Sequence, residues 1–174
     1  MPSLIYDVAV SIDGYICGPD ADISKFPAVG DHVDAYLDRL RSYPATVMGR
    51  KTYEFGYDYG LEPGQRAYAH MEHLILSKTL DVPQSRDITV ARDNWLPAVD
   101  DLLARHGTVY LCGGGHTAAF LLANGRITEL RLKRAPVILG QGVPLFAGKT
   151  PSNAALIGVE SYASGVTYER YSIG

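Results

Sequence analysis

Two short segments constrain this chain more than any bulk property: Val47-Met48-Gly49-Arg50-Lys51-Thr52-Tyr53-Glu54 and, about sixty residues on, Val109-Tyr110-Leu111-Cys112-Gly113-Gly114-Gly115-His116. Each reads as an apolar strand that ends in glycine and opens directly into a helix, so backbone N–H groups and a helix N-terminus are aimed at one spot. Such spots bind anions. Two of them, with Arg50 and Lys51 beside the first, suit a ligand with well-separated phosphates, and a phosphorylated dinucleotide is the commonest of that kind. Alone, either turn is more often a tight connection, and Gly113-x-Gly115-x-x-Ala118 lacks the acid expected about twenty residues later in a dinucleotide fingerprint. The pairing carries the signal.

The remaining pattern alternates strand and helix. Residues 4–11 are β-rich and run into a loop broken by Gly14, Gly18 and Pro19. Asp31 can cap a helix whose apolar stripe is Val33, Tyr36, Leu37 and Leu40, and Pro44 ends it. A strand over 45–48 leads to a short helix over 50–55 and an aperiodic loop over 56–64. Strands over 73–77 and 87–90 are separated by the turn residues Asp81, Pro83, Gln84 and Ser85. A helix over 95–105 presents Leu96, Val99, Leu102 and Leu103 on one face and tolerates Pro97 in its first turn. A strand over 108–112, a helix over 115–123 closed by Asn124-Gly125, and a strand over 127–135 follow. Residues 136–142 read as a loop passing close to something, and 155–161 with 166–173 as a hairpin around Ser164-Gly165. The fold class expected is a three-layer α/β domain with a mostly parallel central sheet and a C-terminal antiparallel hairpin.

With 174 residues, 47% of them hydrophobic and 20% charged, the chain reads as a single domain over 1–174. A net charge of −3, with sixteen Lys and Arg in no run, argues against a nucleic-acid partner. No signal-like leader or membrane-length apolar run is visible, so a cytoplasmic protein without a membrane partner is expected. Cys17 and Cys112 lack metal-site spacing and read as small buried apolar residues; His70 and His73 give no metal site, and no metal is expected.

The order SIDGYI, VMGRKTYE, LILSK, VYLCGGG resembles the dihydrofolate reductase superfamily, and is most similar to the branch holding the reductase domain of the riboflavin-biosynthesis deaminase-reductases and their small stand-alone relatives. The similarity covers nearly the whole chain. It implies NADPH as cofactor, with Gly49, Arg50, Lys51 and Thr52 at the pyrophosphate and 2′-phosphate, and Thr52 also capping its helix. It places Leu76, Ser77 and Lys78 along the adenine-ribose, and Gly113, Gly114, Gly115 and His116 in a second phosphate cradle. The loop at 10–16 is implied to close over the nicotinamide, with Ala9 and Ile16 touching it and Gly14 permitting the close approach. Asp13 of the SIDG motif is the candidate catalytic residue, orienting substrate or handling a proton, although Asp-Gly is also the commonest turn pair. A small-molecule substrate and a homodimer are implied by the same resemblance.

Two departures narrow it. Folate-reducing members carry a carboxylate on the first helix, where this chain has His32 or Val33, with Asp34 one step away on the polar side. Residues 21–26 lack the tryptophan and arginine with which riboflavin-pathway members hold a ribose phosphate. The activity expected is hydride transfer to a C=N or C=O carbon of a planar pteridine-like or pyrimidine-like substrate. The alternatives are a non-catalytic nucleotide-binding module and a phosphate-ester-binding transferase or hydrolase. Tyr53, Tyr57, Tyr59 and Tyr68 around Phe55 could line a substrate cleft or a subunit contact.

Overall fold

A computed structural model describes residues 1–84 and 86–174; Ser85, expected in a turn, lies outside the described residues. Among the described residues, ten strands and four α-helices follow in the order β1 (Ser3–Val10), β2 (Tyr15–Cys17), α1 (Asp31–Ser42), β3 (Ala45–Gly49), α2 (Arg50–Phe55), β4 (Glu72–Leu76), β5 (Thr89–Ala91), α3 (Trp95–His106), β6 (Thr108–Gly113), α4 (Gly115–Ala123), β7 (Ile127–Arg134), β8 (Val143–Pro144), β9 (Ala154–Ser161) and β10 (Thr167–Ile173). Eight strands form one sheet in the order β5-β4-β3-β6-β1-β7-β10-β9, while β2 and β8 form a small antiparallel pair. The sheet is parallel from β5 to β7 and antiparallel across β7, β10 and β9.

Strand alternation sorts the core into two layers. Leu4, Tyr6 and Val10 of β1 pack with Val99, Leu102 and Leu103 of α3 and with Ala118 and Leu121 of α4. The intervening Ile5 joins Leu40, Tyr43 and Tyr110 on the opposite face, next to α1. Met48, Tyr53 and Ile75 extend that second face under α2. Three layers result: α1 and α2, the sheet, then α3 and α4.

Several expectations are corrected in detail. The N-cap of α1 is Gly30, not Asp31, whose carboxylate instead accepts from the backbone N–H groups of His32 (3.0 Å) and Ala163 (3.3 Å). Leu37 is 40% exposed, and the sheet-facing stripe is rotated to His32, Tyr36 and Leu40. Hydrophobicity patterning misses this because His32 is buried yet satisfied: Nε2 donates to the Pro27 carbonyl (3.1 Å) and Nδ1 accepts from the Ser164 hydroxyl (2.8 Å). Cys17 and Cys112 are free and only half-buried.

His73 is fully buried in β4, accepting from Tyr68 N–H at Nε2 (3.2 Å) and donating from Nδ1 to the Met71 carbonyl (3.1 Å). Burial lowers its pKa from 6.5 to about 4. A neutral histidine so held contributes stability above about pH 6.5, and loses it as pH falls toward about 4, on the order of 3 kcal/mol in full. Chemical denaturation of the wild type and His73→Gln across that window checks this: the wild type should lose more stability on acidification than the variant.

Candidate functional site

The carboxyl ends of β3 and β6 lie side by side, and the chain leaves β3 into α2 and β6 into α4, on opposite faces of the sheet. In open α/β sheets the edge where such connections diverge is the place where ligands bind. Glycine is required along it because backbones and side chains meet there. A Cβ on Gly49 would overlap Thr117 Oγ1, and one on Gly115 would overlap the Pro144 carbonyl oxygen. A Cβ on Gly114 would lie 3.4 Å from Thr52 Oγ1 and 3.6 Å from Ile16 Cδ1, so both glycine-ended junctions and β2 converge at one place. Gly113 holds φ at +122°, and its peptide bond to Gly114 is cis. Gly49 caps α2 and Gly114 caps α4, neither with a side-chain bond, leaving first-turn N–H groups without intrahelical acceptors. Thr52, expected to cap α2, is its third residue and faces Gly114 instead.

Basic side chains line the rim beyond α2. Arg50 is exposed, with only Glu54 Oε2 near it at 3.4 Å; Lys51 is exposed one residue on. Lys78 follows β4 and Arg92 follows β5, both exposed, so three adjacent parallel strands each end at a cation. Arg92 escaped sequence reasoning because the strand expected over 87–90 is in fact Thr89–Ala91. Leu76 and Ser77 are buried, and the Ser77 hydroxyl accepts from the N–H groups of Thr79 (3.1 Å) and Leu80 (2.9 Å). That side chain closes a turn. His116 stands exposed in the first turn of α4.

The loop after β1 is fastened on three sides. Ser11 Oγ donates to Asp13 Oδ1 (2.6 Å), which also accepts from Leu139 N–H (3.1 Å), while Oδ2 accepts from Gly140 N–H (2.7 Å). Ile12 N–H donates to the Val137 carbonyl (2.8 Å), and Leu145 N–H to that of Gly14 (2.9 Å). The segment 136–142, expected to pass close to something, therefore grips the SIDG loop, and a Cβ on Gly142 would overlap the Cys17 carbonyl. Gly14 adopts φ +89°, a left-handed conformation that favours glycine. The Ser11 hydroxyl and the two backbone donors lower the Asp13 pKa to about 2, so it is a carboxylate at neutral pH. Of the roles open to Asp13, fastening and orienting fit this geometry better than donating a proton.

On the α1 face, a cavity of about 150 Å³ is lined by Ala9, Phe26, Pro27, His32, Val33, Tyr36, Lys133, Ala135 and Val166. The position at which a first-helix acid was sought offers only His32 and Val33, and Asp34 is exposed. The buried carboxylate here is Asp7 of β1, which accepts from Tyr43 Oη (3.2 Å) and lies near Arg39 Nε (3.4 Å) and Lys133 Nζ (3.3 Å). The β1–β7 register pairs Ala9 with Lys133.

The tyrosine cluster serves packing more than a cleft. Tyr53 is buried, donates to the Gln65 carbonyl (2.7 Å) and accepts from Gly64 N–H (2.9 Å); Tyr57 packs edge-on against it. Tyr68 reaches into the core beside Tyr110, and Tyr59 is 70% exposed against Phe55. Among the described residues no group of three or more His, Cys, Asp or Glu could hold a metal ion, and no helix is long and apolar enough to cross a membrane.

The model of the RibD C-terminal domain matches residues 2–168, and the chain belongs to that family. The uncharacterized protein YyaP of Bacillus subtilis (strain 168) is 27% identical over 94% of this chain and 90% of its own. Among solved structures, a Shewanella sp. PV-4 protein whose name refers it to riboflavin biosynthesis superposes with a TM-score of 0.82 at 23% identity, over 100% of this chain and 99% of its own. A dihydrofolate reductase from Enterococcus faecalis, complexed with NADP(H), superposes with a TM-score of 0.63 at 16% identity, over 99% and 97%. The likeness to these structures is one of fold.

Two outcomes test the site's construction. Asp13→Ala should speed amide hydrogen exchange at Leu139 and Gly140, which lose their acceptor, while exchange in β3 and β6 stays unchanged. Gly115→Ala should destabilise by about 1–3 kcal/mol in chemical denaturation, because the added methyl group must displace the Pro144 carbonyl.

Proposed function

We propose that the chain is an NADPH-dependent reductase that delivers hydride to a C=N or C=O carbon of a planar pteridine-like or pyrimidine-like substrate. The observation carrying this reading is the convergence of Gly114, Thr52 and Ile16 at the crevice between β3 and β6. A basic rim lies beyond α2, and an apolar cavity against Ala9 lies on the α1 side. A ligand with phosphates at one end and a flat ring at the other matches that order of surfaces. The family membership supports the same reading.

Gly49, Gly113, Gly114 and Gly115, whose missing side chains make way for neighbouring protein groups, supply the backbone against which a phosphate-bearing ligand lies, with first-turn N–H groups of α4 and His116 on the same side. Arg50 and Lys51 supply charge toward a 2′-phosphate, joined along the rim by Lys78 and Arg92. Leu76 and Ser77 contribute backbone and buried shape rather than free side chains. Ala9, Gly14 and Ile16 flank the place for the nicotinamide. When bound, NADPH supplies a hydride from its ring carbon. The chain's own contribution is positional: Asp13 holds the loop over 11–14 against 137–140, excluding water from the ring end, and fixed geometry replaces chance encounter. Asp13 acts there as an orienting carboxylate.

The partner proposed beside the small-molecule substrate is a second copy. β9 is an outer strand of the sheet and presents Leu156 (56% exposed), Ile157 (50%) and Val159 (53%), an apolar edge of the sort that another strand or sheet covers.

Titration calorimetry tests the cofactor assignment: Arg50→Ala should weaken NADPH by about 1–3 kcal/mol while changing NADH little, and equal losses for both would remove the 2′-phosphate role. For the assembly, Ile157→Lys should convert a dimer to monomers in sedimentation velocity without altering NADPH affinity; a wild-type monomer would end that part of the proposal.

A further inference from the structure

The cavity on the α1 face has a polarity that the reductase reading leaves open. Its walls are mostly apolar: Ala9, Val33, Ala135, Val166 and the ring of Tyr36. His32 has both ring nitrogens committed, to Pro27 and Ser164, and the Tyr36 hydroxyl pairs with that of Tyr110 at 3.0 Å. Lys133 is the cation in this wall. Its side chain is 11% exposed, and Nζ lies 3.2 Å from the Tyr36 ring centroid and 3.3 Å from Asp7 Oδ1. Among the described residues that oxygen has no hydrogen-bond partner besides this contact, and one ion pair with the Tyr36 ring beside it leaves the ammonium short of its full set of acceptors.

Charge counting points the same way. Asp7 carries one negative charge and faces two positive ones, Arg39 and Lys133, while Arg131 is matched by Glu129 at 2.7 Å. The group beside the cavity is therefore left with one positive charge in excess, largely out of water, where an unmatched charge is costly. Burial and Arg39 push the Lys133 pKa below the ordinary lysine value, and Asp7 opposes them. An anion entering the cavity relieves this imbalance; a cation worsens it.

We infer that Lys133 is a substrate-reading residue, and that the cavity takes a single planar ring bearing an anionic oxygen, a carboxylate or an enolate, in preference to a ring bearing a cationic amidine. The inference deepens the proposed function, on which it rests for the identification of this cavity as the acceptor site. Its size agrees, since a void near 150 Å³ holds a benzene-sized ring. Ala9 and Lys133 are register partners on adjacent strands and line the same cavity, so a ring held by Lys133 lies in the cavity that borders the residue assigned to the nicotinamide.

Benzoate, benzamide and benzamidine are planar single rings of nearly one shape and of negative, zero and positive charge. Their affinities, read from methyl NMR shifts at Ala9, Val33 and Val166, should follow that order in the wild type, with benzoate about tenfold or more ahead of benzamidine. Lys133→Met should abolish the order, and Lys133→Arg, which keeps the charge, should preserve it if the first variant does not fold. Equal binding of the three rings, preference for benzamidine, binding of none, or survival of the order in Lys133→Met would overturn the inference. NADPH affinity, measured separately, should change less than about twofold in Lys133→Met. Failure of the wild type to bind NADPH would remove the reductase reading, while the ring-charge order judges Lys133 independently of it.

Discussion

The close approach of backbones at the carboxyl edge of the sheet is the constraint on which the site depends. At Gly49, Gly115 and Gly142 a single added carbon would overlap Thr117, the Pro144 carbonyl and the Cys17 carbonyl respectively. These contacts tie β3 to α4, α4 to β8, and the loop before β8 to β2. Without them the ends of β3 and β6 would still pair, but the crevice would lose its floor and the strand pair β2–β8 its place. Interiors this close-packed transmit small volume changes directly, so glycine here acts as a geometric part.

A second tie is electrostatic. Asp13 binds two backbone N–H groups of the loop over 136–142 and one hydroxyl of its own loop, so a segment more than a hundred residues away in sequence is fixed to the end of β1. Arg134 reinforces the neighbourhood through both Glu169 oxygens, at 2.9 and 3.1 Å. The cavity on the α1 face draws its walls from β1, α1 and β7 with the loops beside them, while the basic rim beyond α2 comes from the ends of β3, β4 and β5.

Much of the fold was legible because strand and helix periods are local. The helices over 50–55 and 115–123 fall where glycine-ended strands predict them, and the parallel sheet follows from strand and helix alternation. What escaped is instructive. His32 sits on the buried stripe of α1 because two distant groups satisfy its ring nitrogens, which no hydropathy pattern records. The Ser77 hydroxyl accepts from the N–H groups of Thr79 and Leu80, a local turn that the motif around it does not record. Arg92 was hidden by a short shift in a strand boundary, the least reliable feature of any sequence reading.

The sequence by itself determined the two glycine-ended junctions, the strand order along the chain, the basic residues after the first junction and the absence of an acid at 32–33, since each is a matter of residue type at a local position. Only the tertiary structure decided that the junctions share one crevice, that Asp13 grips residues 139–140, and that Asp7 and Lys133 meet beneath the α1 cavity. Those pairings join β1 to β7 and to loops far along the chain. They are set by sheet register and by burial of charge, and neither is encoded in any short stretch of residues.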